Sequence, residues 1–91
     1  MKNIEYLMDM TKSYLDGEMD TTSYWLDFPY QLEVRYKKAL REDRELAELI
    51  YDCLFEDGIN LYNGLTDDEF KAKIAQEYEY INGVLKGTDI L

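Results

Sequence analysis

"ELAELIYDCLFED", residues 45–57, reads as a helix whose apolar residues Leu46, Leu49, Ile50, Cys53 and Leu54 recur at three- and four-residue intervals. Its acids are badly placed for helix stability. Glu45, Glu48, Asp52 and Glu56 are spaced three, four and four apart. At about 100° per residue they project onto a strip of roughly 80°. Like charges at such spacings repel by about 0.2–0.5 kcal/mol per pair. No basic residue between Glu45 and Gly64 offsets them. The segment therefore predicts a core-facing helix with an acidic outer face, bounded by Asp43 as N-cap and Gly58 as its end.

Three further helices follow outward from this one. About residues 3–16 carry Ile4, Leu7, Met8, Thr11 and Leu15 on one stripe, and Gly17 suits a left-handed closing residue. A second helix begins after Asp20 or Thr21 and carries Trp25, Phe28, Leu32, Tyr36, Ala39 and Leu40. Pro29 complicates it. An unbroken helix leaves the Trp25 carbonyl without its donor and kinks the axis; alternatively, Asp27 caps a new helix with Pro29 in its first turn. A kink or break near Pro29 is expected. "TDDE" at residues 66–69 is a capping box, opening a last helix with Phe70, Ile74, Tyr78, Ile81 and Leu85. Asn82–Gly83 marks a possible end or frayed turn. Alternating strand patterns are missing. The expectation is an all-α protein, one domain over residues 1–91, folded as an antiparallel four-helix bundle.

Composition narrows the function. The 91 residues include 20 acids and 10 bases, for a net charge of −10. Such a charge disfavours nucleic acid and anionic membranes as direct partners and favours a basic protein, by steering its approach. The imbalance is local. From Glu42 to Glu69 ten acids face one base, Arg44, a balance of −9. The remaining 63 residues hold ten acids and nine bases, a balance of −1. Beside the acidic strip lies an i, i+4 aromatic pair, Tyr51 and Phe55, which reads either as an interface anchor within a steering field or as part of a wide buried arc of a central helix.

Catalytic equipment is sparse. There is no histidine, so the commonest general base and metal-binding nitrogen are gone. Cys53, the one cysteine, lies on a core face and reads as a small hydrophobe. A calcium loop opening at Asp57 needs glycine where Tyr62 stands. No cofactor, metal or enzymatic activity is expected. The N-terminus "MKNIEYLMDM" has acids where a secretory signal needs an apolar run, and no segment reaches membrane-spanning length, so a cytoplasmic location is expected.

Several segments, in order, resemble the colicin D immunity family, small immunity proteins of colicin and contact-dependent inhibition systems. "YLDGEM" (14–19) resembles the family's Y-L-x-G-x-I pattern. "TSYWLDF" (22–28) is similar to its aromatic helix start. "LIYDCLFED" (49–57) resembles its L-x-x-L-F segment followed by acids, and "LTDDEFKAKI" (65–74) its acidic cap before the last helix. The resemblance spans most of residues 4–82. The Pro29 region and the acidic "REDRE" (41–45) depart from the pattern and carry nothing over.

The resemblance implies a helical bundle that binds, one to one, the basic C-terminal nuclease domain of a cognate toxin, typically one that cleaves transfer RNA. Acids at and after the end of helix 3 would face the toxin's active site, which places Asp52, Glu56 and Asp57 there. Together with the residue patterns, this nominates Glu45, Glu48, Tyr51, Asp52, Phe55, Glu56, Asp57, Tyr62, Asp67 and Asp68 as toxin-binding residues. A different reading of the same surface is an adaptor or nucleic-acid mimic that regulates another basic, nucleic-acid-binding protein.

Overall fold

A computed structural model describes residues 1–87. The chain is all-α. It forms α1 (Lys2–Leu15), α2 (Thr21–Glu42), α3 (Arg44–Leu49), a π-helical segment (Ile50–Glu56), a 3₁₀ segment (Ile59–Gly64) and α4 (Asp67–Leu85). The π segment continues α3 directly, so the arrangement is four-helical, and no strand occurs among the described residues.

Side-chain contacts set the directions. Tyr14 near the end of α1 bonds Thr21 at the start of α2, and Asn3 at the start of α1 bonds Glu42 at the end of α2. Helices α1 and α2 are therefore antiparallel. Tyr14 also meets Phe70 at the start of α4, and Tyr36 meets Tyr51 across the α2–α3 hairpin. At about 1.5 Å per residue the 22 residues of α2 reach about 33 Å, matching the 33 Å long dimension of the molecule.

Each helix end has a local cause. Asp20 accepts from the Ser23 amide at 2.7 Å and starts α2. Asp43 accepts from Leu46 and starts α3. Thr66 and Glu69 cap each other's backbone at the start of α4, the reciprocal box expected from "TDDE". Gly17 closes the α1 turn at φ +86°, a left-handed conformation that costs a side-chain-bearing residue about 1–2 kcal/mol. Helix α2 runs unbroken through Pro29, so it begins at Thr21 behind the Asp20 cap and does not start anew at Asp27. Helix α4 continues through Asn82–Gly83 to Leu85.

One expectation is corrected around residues 50–58, and the end at Gly58 stands. The helix from Arg44 is α-helical only to Leu49. It then widens into i→i+5 bonding, and Asp57 N–H donates to the Asp52 carbonyl at 2.9 Å. Gly58 follows the helix, as expected, with φ −117°. It is glycine for lack of space: a Cβ there would lie 2.5 Å from the Leu54 carbonyl oxygen and 2.7 Å from Ile74 Cδ1.

The core joins Ile4, Leu7 and Met8 of α1 to Phe28 and Leu32 of α2, Leu46, Ile50 and Leu54 of the third helix, and Phe70, Ile74 and Ile81 of α4. It is more aromatic than the periodicity implied. Tyr14 and Tyr24 are fully buried and stacked at 4.5 Å, while Trp25, expected inside, is half-buried. The two tyrosines are admitted because their hydroxyls have partners: Tyr24 with Thr11 at 2.8 Å, Tyr14 with Thr21 at 3.0 Å. Ala47 joins Leu46 on the buried face of α3, Leu49 packs half-buried against the core, and Leu85 is exposed.

Candidate functional site

The ten acids of residues 42–69 divide by what they touch. Three serve the fold. Glu42, at the end of α2, accepts from Asn3 N at 3.0 and 2.9 Å, from Asn3 Nδ2 at 2.7 Å and from Ile4 N at 3.0 Å. It caps α1, whose own N-cap Met1 offers no side-chain bond. Burial raises the Glu42 pKa, but the amides of Asn3 and Ile4 outweigh it and hold the carboxyl below its ordinary value. Asp43 and Glu69 cap α3 and α4.

The other seven are Glu45, Glu48, Asp52, Glu56, Asp57, Asp67 and Asp68, and all are exposed. Among the described residues none gives Glu45, Asp52, Glu56 or Asp57 a side-chain hydrogen bond or ion pair. Glu48 lies 3.7 Å from Arg44, an exposed pair with little net value. Asp67 and Asp68 occupy the first turn of α4, where the helix dipole favours them. Asp67 lies near Tyr14, whose hydroxyl pKa is raised by burial first and by the Asp67 charge as a smaller contribution. That pair of acids belongs to the α1–α4 side; Glu48 and Asp52 act on Tyr36 of α2, while Asp52 and Asp57 also act on Cys53 beside Glu77 of α4.

The π turn changes how the strip is laid out. The 100° projection holds for Glu45 and Glu48 and not for Asp52 and Glu56, which advance around a wider turn. The carboxylates stay outside because Ile50, Cys53 and Leu54 of the same turn are buried.

Tyr51 and Phe55 are half-buried and 5.3 Å apart, and Tyr36 of α2 packs on Tyr51 at 5.2 Å. With Pro29 they wall a trough of about 570 Å³ between α2 and the π segment. Glu48 and Asp52 stand near it. The Tyr36 hydroxyl pKa is raised chiefly by burial and then by these two charges. Tyr62 is placed differently. It stacks on Trp25 at 5.1 Å and meets Phe70 edge-on at 5.2 Å, a packing position between the 3₁₀ segment and the core.

Sequence periodicity missed the α2 contribution. Leu26, Tyr30 and Val34 recur every four residues and are 57%, 61% and 50% exposed. The signal was present as a second apolar stripe beside the core stripe of α2, which marks a helix apolar over more of its circumference than one core face requires.

Cys53 is buried, and burial followed by the nearby Glu77 carboxylate pushes its thiol up to about 11. It carries no thiolate at neutral pH. Among the described residues no three histidine, cysteine, aspartate or glutamate side chains converge as metal ligands, and no helix is long and apolar enough to cross a membrane. No protein-family profile, curated protein or solved structure matches this chain.

Proposed function

We propose that this protein is an immunity protein: a one-to-one inhibitor that binds the basic nuclease domain of a cognate toxin, of the kind that cleaves transfer RNA, and acts by occupation rather than catalysis. The observation that carries the reading is the run of unpaired, exposed carboxylates Glu45, Asp52, Glu56 and Asp57 on one helix, flanked by a half-buried aromatic wall. A nuclease groove is built to grip a phosphate backbone, whose charge dominates affinity. A helix carrying carboxylates along its length offers the same charge on a rigid frame. The repulsion tolerated in the free protein is relieved when basic side chains of the toxin approach, and the concentrated field speeds encounter. The resemblance of residues 14–19, 49–57 and 65–74 to the colicin D immunity pattern supports the same reading.

The test is a protection assay. The open reading frame neighbouring this gene, as the candidate toxin, is expressed from an inducible promoter, with and without this protein. Growth should be rescued by the native chain and not by the quadruple variant E48Q/D52N/E56Q/D57N, with both chains folded by circular dichroism. Rescue by the variant equal to the native chain would remove the acidic face from the account. If the captured partner is instead a basic nucleic-acid-binding protein that is not a toxin, the regulatory adaptor reading replaces this one.

A further inference from the structure

The trough between α2 and the π segment is more than a gap in the packing. It holds about 570 Å³ and continues into a second hollow of about 390 Å³ past Pro29 and Phe55, which border both. Its size lies within the range of about 300–1,000 Å³ typical of sites that enclose a ligand group. The walls are rings: Tyr36, Tyr51 and Phe55, each already in contact with another, so the surface is preformed. Along its outer lip α2 exposes Tyr30, and next to it Leu26 and Val34.

We infer that this trough is an anchor pocket for an apolar or aromatic side chain carried on a basic segment of the protein partner. The inference rests on the reading of the acidic face as a partner-binding surface and extends it. Charge complementarity selects this occupant. Glu33 lines the trough, Glu48 and Asp52 act on Tyr36 within it, and Glu56 adjoins Phe55 in the chain. Lys37 is the one basic residue on its lining, and Arg44, which also acts on Tyr36, lies 3.7 Å from Glu48; the acids outnumber these two bases. An apolar side chain entering here brings its neighbours close to an excess of carboxylates, which favours lysine and arginine beside it. A second copy of this chain is a poor occupant. Two-fold pairing would set each acidic rim against itself in a protein already at −10. The arrangement matches the general anatomy of strong interfaces, in which a central aromatic pocket supplies affinity while surrounding charges supply steering and exclude water.

Two synthetic helical peptides of equal length and charge test this. One carries phenylalanine at every fourth position among lysines; in the other serine replaces phenylalanine. Each is titrated into ¹⁵N-labelled protein at low salt. The phenylalanine peptide should bind at least about tenfold more tightly, a difference of about 1.4 kcal/mol. It should shift the amides of Tyr30, Tyr36, Tyr51 and Phe55. The substitution Tyr30→Ser, at an exposed position, should remove most of that advantage. Equal affinity of both peptides, with shifts confined to Glu48, Asp52 and Glu56, would overturn the anchor pocket and leave the acidic binding surface standing. Absence of binding by either peptide would overturn the surface as well. A dimer of the free protein that Tyr30→Ser dissociates would overturn the inference by assigning the trough to a second copy.

Discussion

Replacing Glu42 by alanine removes the cap that α2 supplies to α1. Three donors lose their acceptor: the amides of Asn3 and Ile4 and the Asn3 side chain. Hydrogen bonds to a charged group contribute about 1.5–3 kcal/mol each when considered singly, and loss of a helix cap about 0.5–2 kcal/mol. The three donors share one carboxylate, and Glu42 is half-exposed, so water recovers part of the loss. We expect a net cost of about 2 kcal/mol, well below the sum of the singles. In a domain of this size that lowers Tm by about 8–16 °C. The Arg35 guanidinium should loosen too, since it donates to Asn3 Oδ1 at 2.9 Å and lies 3.6 Å above the Tyr6 ring. The pH dependence separates a charged cap from simple packing. The Glu42 pKa is lowered by folding. Its contribution is therefore complete above the ordinary carboxylate value of 4.5 and is lost as pH falls through the lowered folded value. Thermal melts by far-ultraviolet circular dichroism should show a gap between native and Glu42→Ala proteins that is constant near neutrality and narrows below pH 4.5. A change in Tm of under about 2 °C at neutral pH, or a gap that persists in acid, would refute the role given to Glu42.

Further outcomes follow from the same geometry. Gly58→Ala should cost about 1–3 kcal/mol, because the added methyl collides with Leu54 backbone and the Ile74 side chain; urea unfolding measures it. The triple variant E48Q/D52N/E56Q should be more stable than the native protein by a few tenths of a kcal/mol per relieved pair. The gain should shrink in high salt, as seen in Tm at two ionic strengths. Cys53 should resist alkylation in the folded protein at pH 8, because its thiol titrates near 11, and should react once urea unfolds the chain.

The helix count and the caps were legible in the sequence because they depend on neighbours a few residues apart. The Thr66–Glu69 box and the Gly17 turn are of this kind. So was the exposure of Glu45 to Asp57, since the buried residues of that helix alternate with them at helical spacing. What escaped depends on contacts distant in sequence. Tyr14 and Tyr24 are buried only because Thr21 and Thr11 meet their hydroxyls, and Glu42 leaves the acidic surface only because the start of α1 arrives beside it. The π turn escaped because the residues Ile50–Glu56 also satisfy an α-helical pattern, and the wider bonding shows in backbone geometry alone. The trough could not be read at all from either helix. Tyr36 comes from α2 and Tyr51 with Phe55 from the π segment, and the space between them exists only in the packed pair.

The most direct test of the central claim is a displacement experiment. A catalytically inactive form of the nuclease domain of the toxin proposed as the partner, sought among the neighbouring reading frames, is loaded with fluorescent transfer RNA, and anisotropy is followed as this protein is added. If the carboxylates of Glu45 to Asp57 stand in for a phosphate backbone, the RNA should leave completely at one equivalent of protein. The displacing affinity should fall as salt rises and should be lost in E48Q/D52N/E56Q/D57N. RNA that stays bound while the protein also binds, or displacement unaffected by the four substitutions, would contradict the account.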